Sequence, residues 1–116
     1  MSQPVDDDRK PVDLAALGAT LLAATEEDHA GGRAAKTVLH EPGLRATVIA
    51  LRAGHELAEH DAPPAATLYV HTGQVQLRSD GREQALTVGQ LIAIPHERHS
   101  LFADTDAVVV LTVRYE

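Results

Sequence analysis

The sequence predicts an all-β protein, an antiparallel sandwich or barrel, with one short helix at its N-terminal end. Three observations carry this reading. Short runs rich in Val, Ile, Leu and Thr recur from residue 36 to the end, turn residues separate them, and no helical periodicity lies between them. Strands with no helix to cross over between them exclude a parallel βαβ architecture.

Residues 1–10, "MSQPVDDDRK", lack apolar periodicity and read as a flexible acidic tail. Val12, Leu14, Leu17, Leu21 and Leu22 then recur at three- and four-residue steps, with Asp13 where the first turn of a helix favours an acid. The spacing predicts a helix over 12–24 that packs on the barrel or on a partner subunit. "EEDHAGGRAAK" breaks that pattern at Gly31-Gly32, and His29 falls there as a solvated linker residue. Helix and linker thus span 11–32, and the barrel 33–116.

The predicted strands are "KTVLH", "LRATVIALR", "ATLYVHT", "QVQLR", "QALTV", "QLIAIP", "HSLFA" and "AVVVLTVRY". Pro42-Gly43, Ala53-Gly54, Pro63-Pro64, Thr72-Gly73, Asp80-Gly81 and Val88-Gly89 mark the turns. The sharpest is "SDGR", since Asp-Gly accepts the positive φ angles of a type I′ hairpin. The last run, "DAVVVLTVRYE", is nearly continuously apolar, as a strand buried on both faces should be.

At 116 residues the chain has room for one core. With one Phe, two Tyr and no Trp, that core must be built from Ala, Val, Leu and Ile. Seventeen acidic against ten basic residues give a formal charge of −7 and no basic stripe, which argues against a nucleic-acid partner. No apolar run has the length of a signal peptide or a spanning helix, so no membrane partner and a cytoplasmic location are expected. Without cysteine, any metal must be held by His, Asp or Glu.

Within residues 38–115 two frames, one of Gly54, His60 and Gly73 and one of Gly89, Pro95 and His99, flank a hairpin, an arrangement that resembles a small single-domain bacterial cupin and so implies pairing into a homodimer through a sheet. Gly54, His60 and Gly73 keep the frame of the family's first motif, and Gly89, Pro95 and His99 that of the second, with "QVQLRSDGREQALTV" as the hairpin between them. The resemblance implies a double-stranded β-helix, the cupin jelly-roll barrel. The departures are specific. The second His of the first motif's His-x-His is Ala62, and its carboxylate falls at Ala66 or Thr67, with Ala65 equally unable to ligate. The second motif is one residue short, with Glu97 near its usual Gly.

A divalent metal (Zn, Fe, Mn or Ni) would therefore rest on His60 and His99, with a third ligand drawn from His55, Glu59, Asp61, His71 or His96. Period-two alternation separates some of these. If Ala66 points inward, Leu68 and Val70 share its face, while Tyr69 and His71 face the other side. His55 and His96 fall in loops as solvated residues.

Alanines in place of ligands would enlarge and dry the interior, leaving an apolar small-molecule pocket bounded by His60, Ala62, Ala66, Leu68 and His99. The favoured function is thus a cupin barrel that binds a small molecule of unidentified structure. The alternatives are a metal-dependent enzyme of dioxygenase or isomerase type using His60 and His99, and a self-associating scaffold.

Overall fold

The computed structural model describes residues 10–26, 31–60 and 65–115, with Glu59 and His60 described through their backbone alone. The acidic segment 1–9, His29, Asp61, Ala62 and the Pro63-Pro64 turn lie outside the described residues. Among those described, one helix, α1 (Leu14–Ala24), precedes nine strands. They are β1 (Arg33–Glu41), β2 (Leu44–Leu51), β3 (Glu56–His60), β4 (Ala65–Thr72), β5 (Gln74–Ser79), β6 (Arg82–Thr87), β7 (Leu91–Ala93), β8 (His99–Ala103) and β9 (Ala107–Arg114).

The helix begins two residues later than its periodicity predicts. Asp13 does not enter the first turn; it caps the helix, its carboxylate accepting from Ala16 N–H at 3.0 Å with extended backbone angles. A short acidic side chain satisfies an otherwise unpaired N–H of the first turn best from that position.

The strands form two antiparallel sheets. One has five strands in the order β1-β2-β9-β4-β7, the other four in the order β3-β8-β5-β6. Between them lies the main core, with Leu51, Leu68, Val70, Val75, Leu77, Leu101 and Val109 among its buried members. No helix among the described residues is long and apolar enough to cross a membrane.

The apolar run of β9 is buried on both faces, as its composition predicts, but the second cover is the chain's own helix. Val109 and Leu111 pack into the main core, whereas Val108 and Val110 join Val48, Ala50 and Leu21 in a second cluster beneath α1. Gly18 makes the approach close, since a Cβ there would stand 3.2 Å from Val108 Cγ1. Burying Leu21 on this face contributes about 2 kcal/mol.

β3 was not predicted. Its sequence, "ELAEH", offers one large apolar residue, Leu57, and the strand exists because β8 supplies a paired neighbour, with Leu57 opposite Leu101. The "SDGR" turn does have positive φ at both central residues, 49° at Asp80 and 75° at Gly81. A two-residue turn leaves no slack, so β6 starts at Arg82, directly opposite Ser79.

Candidate functional site

The four-stranded sheet sets three rows of residues across its inner face, because directly opposed residues in an antiparallel ladder share a face. Ala103, Val75 and Leu86 form the first row. Leu57, Leu101, Leu77 and Gln84 form the second. In the third, the register places His60 opposite His99, His99 opposite Ser79, and Ser79 opposite Arg82. The face thus grades from apolar to polar toward one end of the barrel.

His99 is the buried member of that end, 5% exposed. Its Nδ1 lies 2.9 Å from the carbonyl oxygen of Glu97. A carbonyl can only accept, so this hydrogen bond assigns the proton to Nδ1 and leaves Nε2, in the neutral ring, as the atom bearing the lone pair. Glu97, at the family's usual Gly position, therefore orients the imidazole through its backbone.

His99 is the polar residue lining an otherwise apolar cavity walled by Leu57, Leu68, Leu77, Ile94 and Leu101, among others. Its volume is about 30 Å³, room for roughly one water molecule. Leucine and isoleucine side chains from both sheets surround this cavity, while Ala62 and the side chain of His60 lie outside the described residues. Leu68 is a wall of this cavity, as alternation along β4 predicts. Ala66 packs against the core but lines a separate open trough of about 310 Å³ with Ala93, His96 and Arg114.

The other histidines are spread apart. His71 stands where the β4–β9 register shifts between Val70 and Thr72, half-buried, while its neighbour Val70 is fully buried. His55 is exposed in the turn before β3, its ring packed against Gly32. His96 is exposed at the bend leading to β8. Among the described residues no group of three or more His, Cys, Asp or Glu side chains comes together to hold a metal. The larger indentation of about 490 Å³ between α1 and β1 is an open groove, and its one carboxylate, Asp13, is engaged in capping.

Three residues of the inner face carry no motif: Ser79, Arg82 and Gln84. Their place follows from the hairpin turn, which couples them to Leu77 and His99 across the sheet.

No family model matches the sequence, and no curated protein matches it. Solved structures do match. An RmlC-like cupin from Shewanella frigidimarina is 25% identical, with a TM-score of 0.68 over 78% of this chain and 82% of that one. A cupin superfamily protein from Desulfitobacterium hafniense is 12% identical, with a TM-score of 0.74 over 94% of each chain. A salicylate 1,2-dioxygenase from Pseudaminobacter salicylatoxidans is 21% identical, with a TM-score of 0.73 over 85% of this chain but only 33% of that one. Two facing antiparallel sheets, a tight central hairpin and these likenesses agree that the chain has the cupin fold.

Proposed function

We propose that the protein binds a small organic molecule at the His99 end of its barrel and acts as a binding protein. The observation that supports this is the buried imidazole of His99, held in one tautomer by Glu97 and set among apolar walls. Few polar groups in an apolar surround is the usual make-up of a small-molecule site. An imidazole accepts hydrogen bonds when neutral and donates to a carboxylate when protonated, so His99 suits a ligand with a hydroxyl, amide or acid group. Because the closed cavity holds about one water, the bulk of the ligand lies toward the polar row, and His99 meets its innermost part.

The second reading, a metal-dependent enzyme, draws on the opposition of His60 and His99 in the β3–β8 ladder. Two imidazoles alone make an incomplete and poorly selective set, so no step through a metal is derived. The dioxygenase match bears on this reading through its fold alone.

Native mass spectrometry with metal analysis, on protein purified without an affinity tag, separates the two. Binding predicts a small organic adduct that is lost in His99→Ala, with metal well below stoichiometric. Stoichiometric iron, manganese, nickel or zinc that disappears in a His60→Ala, His99→Ala double variant would establish the enzyme reading instead. A homodimer is proposed as well. Mass in solution tests it, and a clean 12.4 kDa species would end it.

A further inference from the structure

We infer that the cleft between β6 and β7 is a binding site for a small carboxylate with an apolar body, and that Arg82 is its anchor. β6 and β7 are the last strands of their sheets, each hydrogen-bonded to a neighbour on one side only. The sandwich is therefore closed here by side chains and not by a ladder. The gap is a cleft of about 260 Å³, just under the ~300 Å³ at which ligand pockets commonly begin, so it suits a small occupant.

Its chemistry is divided. Leu77, Ile92 and Pro95 are apolar walls, while Ser79, Arg82 and Gln84 bring a hydroxyl, a guanidinium and an amide to the same space. Glu83 also lines the cleft, but its carboxylate lies 2.8 Å from Arg78 Nε. Gln84 completes a cross-strand row otherwise made of leucines, a position where an apolar residue would pack as well. Its amide makes only a 3.5 Å contact, with the Ala85 carbonyl.

Arg82 is 78% exposed, and its Nη2 stands 3.9 Å from Glu97 Oε1, at the outer limit of an ion pair. That oxygen has no hydrogen-bond partner in the structure. A guanidinium with so loose a counter-ion keeps its planar fork available for the two oxygens of a carboxylate. With the Glu83 carboxylate already paired to Arg78, the guanidinium of Arg82 is the charge that favours an anion over an amine.

Leu77 walls both this cleft and the His99 cavity. A carboxylate held by Arg82 can thus direct its apolar body along Leu77 toward His99. Only this last contact rests on the function proposed above.

The test is titration of the full chain, ¹⁵N-labelled, with benzoate and hexanoate, and with benzamide as the neutral control. Either acid should shift amides in 77–84 and 92–95, benzamide should not, and Arg82→Gln should weaken the acids at least tenfold while its spectrum keeps its dispersion. Absence of shifts from both acids at about 10 mM, well above the ~1 mM Kd of a weak site, overturns the proposal. Equal binding by benzamide, or by the Arg82→Gln protein, overturns it too. His99→Ala separates the two readings. Acid binding that depends on Arg82 but is untouched by His99→Ala keeps the cleft and removes His99 from the site. A purified small-molecule adduct that needs His99 and is indifferent to Arg82 does the reverse.

Discussion

In the five-stranded sheet, Val48 and Val108 are buried beneath α1, while their neighbours Ile49 and Val109 pack into the barrel. In the four-stranded sheet, Leu77 and Leu101 are buried inward, but the other face is polar. There Gln76 donates to Asp104 at 2.8 Å, and Arg78 lies 4.6 Å over the ring of Phe102. One sheet is wrapped twice and the other once. The difference teaches where this small barrel keeps its stability and where it is free to carry polar groups. The doubly covered sheet anchors the fold, and the singly covered sheet ends in the row that holds His99.

The sharpest way to break that comparison is to place the same kind of change on the outer face of each sheet. Val48→Asp puts a carboxylate between β2 and α1 with nothing to pair it, and should cost about 4 kcal/mol or more, enough to lose cooperative urea unfolding. Gln76→Asp, the same carboxylate on the solvent side of the other sheet, should cost about 1 kcal/mol through the lost bond to Asp104. Equal losses would remove the distinction.

Gly18→Leu wedges a side chain against Val108 and should destabilise by about 1–3 kcal/mol, with faster amide exchange confined to 14–24. Asp13→Ala removes the cap and should cost about 1 kcal/mol, read from the same exchange experiment. The smallest effect belongs to Arg78, which is half-exposed and pairs with Glu83. Arg78→Ala should change stability by less than about 1 kcal/mol, and a double-mutant cycle with Phe102→Leu measures the stacking share.

Much of the doubly wrapped sheet is legible in the sequence because burial on both faces leaves a nearly continuous apolar run, as in β9. β8, "HSLFA", is equally plain, buried at all but Phe102. β3 is hidden because "ELAEH" carries a single large apolar residue and owes its form to β8, distant in sequence, a tertiary effect that local propensity does not record. The site divides in the same way. His99 stands out through a motif frame, and Leu68 through alternation. Arg82 and Gln84 resemble any solvated residues beside a turn, and their inward placement emerges only when the "SDGR" register is carried across from Leu77 and Ser79. The small volume beside His99 depends on how leucines from two sheets meet, which no spacing encodes.

The account rests on the ligand site lying in the singly covered sheet. The most direct measurement is an amide-shift map of the ¹⁵N-labelled chain against a mixed library of small acids, amines, sugars and alcohols. Perturbations gathered in 77–84 and 92–101 are expected. Perturbations gathered along α1 and β1, or none from any compound, would contradict it.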